Sequence, residues 1–527
     1  MIPGLQSRPR QLTLFRVPRP SPERRFPWNR LEPLRKWWSP EDDRREIRRD
    51  PLARFLVLVG IVFYIGLFSY WTSRHHDGFG TYAFDFGIYD QALWLLSRFK
   101  TPFITIMGRH LFGDHTSFIL LFLVPFYWVI PSAKVLLVAQ AAALGIAALP
   151  AFLIGREKLR NEFMAAVLAL AYLLHPAIHW TNLEQFHPDV FEVPLLLFAF
   201  WFMLRSRWLW YGVSLALLLL VKEDVGPVVF LLGIYVALRH DRRVGLLTSA
   251  AGALSFVTAM YWVLPALNGV GTLNTWRIPF GGPGGVVRTG LTNPGKLLGY
   301  AFSEERPWYL WQMFFPLAGL CLLAPGVLLI AATPLIANLL TTFYYQYDIH
   351  YHYGTLIIPV MVTATIYAIA RARSMELRKL LVGLVAATSL LAAHLWGATP
   401  FSRQDPPIAD PSYPTIPYIH RAIDLIPDDA VVSAHYAYVP HVDHREKIYM
   451  FPTPFKAIYW RTFEQEGKRI PEADTIEYVF VPAQLDPDPK AVLDGIRGEF
   501  ETVYEEGGVT LLRRRSVTLP PGGGAAG

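Results

Sequence analysis

Long apolar segments separated by short polar connections make up most of the chain after about residue 52. A backbone inside lipid must satisfy its own hydrogen bonds, so segments of this kind form helices when they cross a bilayer. The pattern therefore predicts an all-α polytopic membrane domain over residues 51–396. We place about eleven spans at residues 53–72, 134–154, 163–180, 190–205, 208–221, 225–239, 244–266, 311–324, 326–341, 354–371 and 378–396.

A further apolar segment, residues 116–130, is short and is interrupted by Pro125 and followed by Pro131. If this segment does not cross and the N-terminus is cytoplasmic, the short connections rich in Lys and Arg all face the cytoplasm, as the positive-inside rule requires. Counting it as a span would reverse them. We therefore predict juxtamembrane or re-entrant structure in a large outer loop, residues 73–133, and a second outer loop at residues 267–310.

The two ends of the chain differ from the middle. Residues 1–50 are rich in Arg and Pro, which is typical of a basic, disordered cytoplasmic tail. Residues 397–515 alternate short apolar stretches with polar turns, which predicts a small α/β soluble domain, and eleven spans place it outside the cytoplasm. Residues 516–527 are Gly-rich and are expected to be disordered. These features predict a multi-pass protein of the inner, or plasma, membrane.

Composition narrows the classes of function. The chain is 53% hydrophobic and 17% charged, whereas soluble domains carry about 25% charged residues. The net charge of +7 comes largely from the tail and the short connections, so it indicates orientation in a membrane rather than nucleic-acid binding. The sequence contains no P-loop, no dinucleotide-binding glycine pattern and no HExxH motif, so neither ATP nor a sugar nucleotide is indicated as a donor.

The first outer loop carries the first group of candidate residues. Asp85 precedes a stretch with an apolar face at helical spacing and is either catalytic or a helix cap, whereas Asp90 lies inside that stretch. His110, Asp114 and His115 follow. Carboxylates and imidazoles can ligate a divalent cation or act as general bases, and the alternative for these three residues is an ordinary polar turn.

A second group lies between two later spans on the same predicted side. Glu184 and His187 occur close to His175, His179 and Asp189. Ionisable residues near membrane depth are costly and usually need partners. The group therefore either binds a ligand or holds two helices together by mutual hydrogen bonds.

Two further clusters follow other spans. Lys222, Glu223 and Asp224 come directly after an apolar run, where the lysine either pairs with a phosphate or marks the membrane interface. His350 and His352 lie among tyrosines, which either contact a sugar or phosphate or form an aromatic belt. The histidines of the C-terminal domain form no recognisable triad or metal pattern.

Several of these motifs occur together in one family of membrane proteins. In this combination the chain resembles the domain-of-unknown-function 2079 group (DUF2079) over about residues 52–455. That group is similar in architecture to the C-type membrane glycosyltransferases (GT-C), such as dolichyl-phosphate-mannose mannosyltransferases and aminoarabinose transferases. The motifs are FDFGIYDQALW (84–94), HLFGDH (110–115), FHP (186–188), KED (222–224), YHY (351–353) and VPHVDHR (439–445).

The resemblance implies a donor and a catalytic residue. C-type enzymes take a sugar from a polyprenyl-phosphate donor and have an essential acidic residue in the first outer loop. Asp85 lies where that residue would fall, although Phe86 replaces the second acidic residue found in some relatives. The expected function is a glycosyltransferase-like reaction on the outer face, with Asp85 and either Asp90 or Asp114 acting on the acceptor. Lys222 and the histidines would hold the phosphate, with Mg²⁺ or Mn²⁺ as a candidate cofactor.

Two other classes of function remain compatible with the sequence: a lipid or small-solute transporter or flippase, and a non-catalytic membrane scaffold. A transporter needs polar residues through the depth of the bilayer, and the middles of the predicted spans carry almost none. The enzymatic interpretation requires the candidate residues to meet in one water-facing cavity at the non-cytoplasmic boundary. The expected binding residues are His110, His115, Glu184, His187, Lys222, Glu223, Asp224, His350 and His352.

Overall fold

The predicted tails at residues 1–50 and 516–527 lie outside the described residues, apart from residues 46–50. The rest of the described chain is mostly helical, with a small sheet in its C-terminal part and a two-stranded hairpin within residues 73–133, the segment predicted to form the first outer loop. The computed structural model describes residues 46–272, 274–459 and 465–515.

Apolar helices form the membrane domain, which confirms the predicted fold class. Five described helices are long and apolar enough to cross a membrane, and a pair bent by 44° would be a sixth. The other predicted spans are helices that are shorter or interrupted. The long helices are Pro51–Asp77, Lys134–Leu159, Arg242–Asn268, His352–Ala370 and Met375–Trp396. The bent pair is Glu162–Leu173 with Pro176–Leu183, and the shorter helices include Glu192–Leu204, Trp208–Leu219, Val225–Arg239 and Pro325–Leu339.

The predicted span at residues 311–324 is interrupted. The helix Arg306–Phe314 ends there and 3₁₀ turns follow it. Pro316 has no amide hydrogen to continue the helix, and Ala318 and Gly319 adopt positive φ angles of 53° and 64°. The apolar run at residues 311–324 therefore does not form one continuous helix.

The segment at residues 116–130 forms a 3₁₀ turn and a short helix over Phe118–Val129. At about 1.5 Å per residue this element is too short for a hydrocarbon core of ~30 Å. Its side chains Phe126 and Val129 are 57% and 80% exposed. Such side chains are stable only against lipid or another apolar surface. Juxtamembrane structure stays a prediction for this segment.

The long helices differ in how much lipid-facing surface they present. In the helix Pro51–Asp77 only 22% of an 18-residue apolar stretch is buried inside the protein. In His352–Ala370 the corresponding stretch is 89% buried. Phe55 and Phe63 of the first helix are each 60% exposed. The first helix therefore lies at the periphery of the bundle and His352–Ala370 at its centre.

The C-terminal part forms a mixed sheet flanked by the helices Ile416–Ile423 and Pro487–Ile496. Counted along the whole described chain, the strands are β1 (Phe103–Ile104), β2 (Arg109–His110), β3 (Val432–Ala434), β4 (Ile448–Met450), β5 (Tyr478–Pro482), β6 (Phe500–Glu506) and β7 (Val509–Arg514). β1 and β2 form the outer-loop hairpin, and the five-stranded sheet has the order β4-β3-β5-β7-β6. β3 runs parallel to β4 and β5, while β7 runs antiparallel to β5 and β6. This confirms the predicted small α/β region.

The first outer loop is held by the C-terminal domain. The Ala83 N–H donates to the Tyr436 carbonyl (2.8 Å), and the Ile448 N–H donates to the Thr105 hydroxyl (3.0 Å). Between these contacts lies the helix Ile88–Ser97. The α/β domain therefore fixes the position of the loop segment that carries the first candidate carboxylates.

Candidate functional site

Asp85 lies on a strained turn just before the helix Ile88–Ser97. Its backbone has φ 66° and ψ −75°, a combination that costs an L-residue on the order of 1–3 kcal/mol. Gly87, rather than Asp85, is the N-cap residue of the helix, so the capping alternative does not account for the carboxylate. The Asp85 side chain is 38% exposed. The turn thus presents an accessible carboxylate on a residue whose unfavourable backbone conformation must be stabilised by the surrounding structure.

His187 connects Asp85 to two other candidates. Its Nε2 lies 3.7 Å from Asp85 Oδ1 and its Nδ1 lies 3.9 Å from Glu184 Oε2. The His187 ring stacks on His352 with the ring centroids 3.7 Å apart. The backbone N–H of His352 donates to Glu184 Oε2 (2.8 Å). Two imidazoles and two carboxylates from three separate segments therefore meet here.

Burial changes the protonation of this group. It raises the pKa of Glu184 to about 8. For His187, burial acts to lower the pKa, but the Glu184 and Asp85 carboxylates outweigh burial and raise the pKa to about 9. Both raised pKa values favour the protonated forms of Glu184 and His187 at neutral pH, and a protonated group of this kind can act as a proton donor.

Lys222 and Asp189 form a buried ion pair beside this group. Lys222 Nζ lies 2.9 Å from Asp189 Oδ1, and the two side chains are 10% and 7% exposed. Burial opposes ionisation of both, but their attraction prevails, so the pKa of Lys222 is raised and that of Asp189 is lowered. Burial raises the pKa of Asp224 to about 6. Because an ammonium group has three N–H donors, Lys222 can also donate to an anionic ligand.

His115 and Glu223 join the outer loop to the start of a membrane helix. His115 Nδ1 and Glu223 Oε1 are 2.7 Å apart, and the Thr116 N–H donates to Glu223 Oε2 (3.1 Å). Burial acts to raise the pKa of Glu223, but His115 lowers it to about 2. Together these neighbouring side chains form one group, which we call the cluster: Asp85, His115, Glu184, His187, Asp189, Lys222, Glu223, Asp224 and His352. Asp114 lies at the edge of the cluster, 2.7 Å from Arg109 Nη2 and 4.0 Å from His115 Nε2. Its carboxylate is therefore already paired with a guanidinium.

A cavity of about 190 Å³ adjoins the cluster. Its polar wall includes Asp189, Asp224 and Tyr353, and Phe256 and Pro334 belong to its apolar wall. The helix Arg242–Thr258, which supplies Phe256 to the apolar wall, also exposes apolar side chains at the surface of the protein. One of them, Leu254, is 63% exposed. The cavity is thus bounded both by the charged cluster and by helices suited to contact lipid.

Three predicted site residues lie outside the cluster. Asp90 is buried in the helix after Asp85 and pairs with other partners, described below. His110 caps a short helix by accepting a hydrogen bond from the Phe112 N–H (3.2 Å). His350 bonds to Asp348 (2.6 Å), and its side chain is 41% exposed. The structure gives His110 a local structural role and pairs the partly exposed His350 with Asp348.

The titratable residues between two predicted spans separate into two groups. His175 and His179 are buried and hydrogen-bond to backbone carbonyls, at 3.1 and 2.7 Å. They hold helical segments together. Glu184, His187 and Asp189 instead lie in the cluster. The helix-joining interpretation therefore applies to His175 and His179. Ligand binding by Glu184, His187 and Asp189 stays a prediction.

Glu192 also lines the cavity and was not among the predicted residues. It is buried at the start of Glu192–Leu204 and accepts a hydrogen bond from the Thr355 hydroxyl (2.7 Å). The sequence could have indicated Glu192 as a site residue, because it is a carboxylate within a predicted apolar span and such groups are costly in lipid. Gln140 accepts a hydrogen bond from the His187 N–H (3.1 Å), and an amide in an apolar helix gives a weaker signal.

The pKa of His187 predicts how stability depends on pH. A folded-state pKa of about 9, above the ordinary 6.5, gives a stabilising contribution that is fully present below about pH 6.5 and is lost as the pH rises through about 9. We expect the Tm of the wild-type protein to fall over this window and that of His187→Gln to fall less. Thermal unfolding of the detergent-solubilised protein at a series of pH values measures this.

The matched control is His350→Gln, because the His350 side chain is 41% exposed and pairs with Asp348 instead of the partners of His187. It should keep the wild-type pH profile. Indistinguishable profiles for His187→Gln and the wild type would mean that His187 does not hold its extra proton in the folded state.

Comparison with solved structures identifies the fold. Crystal structures of ArnT from Cupriavidus metallidurans, one bound to undecaprenyl phosphate and one in the apo state, match 88% of this chain with TM-scores of 0.53 and 0.54. The sequence identities are 12% and 11%, and the matches cover 99% and 98% of the ArnT chains. The chain therefore has a GT-C-like fold.

Sequence comparison identifies the family. The family described as "Predicted membrane protein (DUF2079)" matches residues 75–507, and this chain belongs to it. The matched range extends beyond the expected residues 52–455 at its C-terminal end and includes most of the α/β domain. No curated protein sequence matches the chain significantly.

Proposed function

We propose that this protein is a membrane glycosyltransferase that takes a sugar from a polyprenyl-phosphate donor on the outer face of the membrane. The observation that carries the proposal is the meeting of Asp85, His187 and Lys222 in one cluster beside a cavity. The cluster combines an accessible carboxylate, proton-exchanging groups and a buried ammonium. One of the structures with a similar fold binds undecaprenyl phosphate, which supports a lipid of this class as the donor.

In the proposed reaction Asp85 acts as the general base. The acceptor hydroxyl attacks the anomeric carbon of the donor, its proton passes to the Asp85 carboxylate, and the sugar–phosphate bond breaks to release polyprenyl phosphate. Asp85 suits this role because its carboxylate is accessible and is 3.7 Å from His187 rather than in a tight ion pair. Asp114 is a weaker candidate, because Arg109 already pairs with it.

Lys222 would contact the phosphate of the donor. Its ammonium keeps donors beyond the one that Asp189 accepts. The cluster nevertheless holds more carboxylates than bases, so a phosphate would be repelled unless carboxyl groups are protonated or a cation is present. The raised pKa of Glu184, about 8, supplies part of this neutralisation.

A divalent cation is the alternative to these protons, because its binding would displace them from Glu184 and His187, and the residues fit such an ion. Glu184, His187 and His352 each offer one ligand atom, all within 4.8 Å of one another. In the described part of the chain neither ring nitrogen of His187 has a hydrogen-bond partner. Two imidazoles favour Mn²⁺ over Mg²⁺, which prefers oxygen ligands. Such an ion would neutralise charge on the donor phosphate.

The proposal also requires an orientation in the membrane. We expect the C-terminal domain to lie outside and the connection between Glu192–Leu204 and Trp208–Leu219 to lie inside. The only cysteine, Cys321, is buried, so a Cys321→Ser background allows single cysteines to be introduced. A cysteine at Asp428 should react with an impermeant maleimide on intact cells, and one at Ser206 only after permeabilisation. Reversed labelling would place the site on the cytoplasmic face and contradict the proposal.

The test of the function is a transfer assay with the full-length protein in liposomes. Polyprenyl-phosphate sugars carrying different labelled sugars are supplied, and both released polyprenyl phosphate and transferred label are measured. We expect protein-dependent release for at least one donor. If the protein binds polyprenyl phosphate but releases none from any donor, the enzymatic proposal fails and a binding or transport role replaces it.

A further inference from the structure

A second cluster of buried acidic groups lies apart from the proposed transfer site, where the outer loop meets the C-terminal domain. Asp90 comes from the helix Ile88–Ser97, and Asp443 and His444 follow a 3₁₀ turn of the α/β domain. Asp90 is 0% exposed and Asp443 is 1% exposed. Neither the loop nor the domain alone contains the complete group.

The geometry of this cluster leaves two carboxylate oxygens without partners. Asp90 Oδ1 accepts a hydrogen bond from the Tyr127 hydroxyl (2.7 Å) and lies 3.1 Å from His444 Nε2. Within the described residues, Oδ2 of Asp90 and Oδ2 of Asp443 are buried and have no hydrogen-bond partner. Asp90, Asp443 and His444 each offer one ligand atom, and these atoms lie within 4.8 Å of one another.

Two adjacent buried carboxylates need a positive charge between them. Removing an ionised carboxylate from water is costly unless it is paired, and a second carboxylate beside it adds repulsion. The neighbouring Arg445 does not fill this role, because its guanidinium donates to the carbonyls of Val442, Pro427 and Ala430. A protonated His444, 3.1 Å from Asp90 Oδ1, can balance one of the two carboxylates. The charge of the other is then removed by a proton on the carboxyl pair or balanced by a cation bound between the two groups.

We propose that Asp90, Asp443 and His444 form a binding site for a divalent transition-metal ion that joins the outer loop to the C-terminal domain. Two carboxylates and one imidazole are ligands that Mn²⁺ and Zn²⁺ accept, and the imidazole makes Mg²⁺ or Ca²⁺ a poorer fit. The Tyr127 hydroxyl donates to Oδ1 of Asp90 and so orients the carboxylate, as outer partners of metal ligands commonly do.

The ion would position Asp85 indirectly. Asp90 is five residues beyond Asp85, on the helix that follows the strained turn. Tying this helix to the C-terminal domain restrains the turn that the surrounding structure must hold in place. The site is therefore structural, and its existence does not depend on the proposed transfer reaction.

Metal binding by the full-length protein in detergent tests the proposal. The protein is stripped with a chelator and dialysed against Mn²⁺ or Zn²⁺ alone, and bound metal is counted by mass spectrometry. Asp443→Asn should bind about one ion fewer per chain than the wild type, and its Tm should rise less than that of the wild type on metal addition. His444→Gln is the second variant, because its side chain is 32% exposed and less essential for folding.

Two control variants locate the effect. Asp424→Asn, at an exposed position of the same domain, should bind metal as the wild type does. His187→Gln removes a candidate ligand of the transfer site and should keep the ion that Asp443→Asn loses. If the wild type and both Asp443→Asn and His444→Gln bind the same number of ions, the proposal is wrong and a shared proton explains the pair. Equal loss in Asp424→Asn would equally refute a site at these residues.

Discussion

Replacing Asp85 by asparagine is expected to lower the rate of sugar transfer by roughly 10²–10⁴-fold, the usual contribution of general acid–base catalysis. Asparagine has nearly the same shape as aspartate but cannot take up the proton of the acceptor hydroxyl. The fold should persist, because the Asp85 side chain is 38% exposed and 3.7 Å from the His187 ring. The measurement is the initial rate of transfer in liposomes at saturating donor, with kcat falling while the KM for the donor changes little.

Asp77→Asn is the matched control. Asp77 lies at the end of the first helix and pairs with Lys134 on the surface, with side chains 44% and 42% exposed. Its substitution should leave the rate unchanged, since exposed ion pairs contribute little. Asp114→Asn should cause an intermediate loss, because the Asp114 carboxylate lies 4.0 Å from His115 Nε2 at the edge of the cluster. A wild-type rate for Asp85→Asn would remove Asp85 from the reaction.

The membrane helices could be predicted because apolar length alone decides whether a segment can cross a bilayer. Continuity could not be predicted in the same way. The segment at residues 311–324 is as apolar as a normal span, but Pro316 and the positive φ angles of Ala318 and Gly319 interrupt it. Hydrophobicity measures the solvent that a segment prefers, whereas its backbone conformation depends on local hydrogen bonding.

Part of the site could be predicted for a similar reason. Lys222 and His187 were recognised because charged and titratable residues next to apolar runs are costly and therefore need partners. Their spatial arrangement needed the fold, since Asp85 and His187 are far apart in sequence. The different environments of Asp85 and Asp90 also needed the structure. Asp85 lies on a turn where its own φ is positive. Asp90 lies within the following helix and contacts His444 of the C-terminal domain.

Lys222→Met is expected to destabilise the protein by about 3–5 kcal/mol, because it leaves the Asp189 carboxylate buried without its partner. The pair is 2.9 Å apart, and its side chains are only 10% and 7% exposed. A lowered Tm of the detergent-solubilised protein reports the loss. Transfer activity should fall as well, so this single variant cannot separate a structural lysine from one that contacts the donor phosphate.

The double variant Lys222→Met/Asp189→Asn makes that separation. It removes both charges, and replacing a whole buried pair is often nearly neutral for stability, so its Tm should recover most of the loss. If Lys222 contacts the donor phosphate, activity should stay low and the KM for the donor should stay high although the fold is restored. Recovery of activity together with the Tm would show that Lys222 only balances Asp189. The phosphate would then need another cation, such as an ion held by Glu184, His187 and His352.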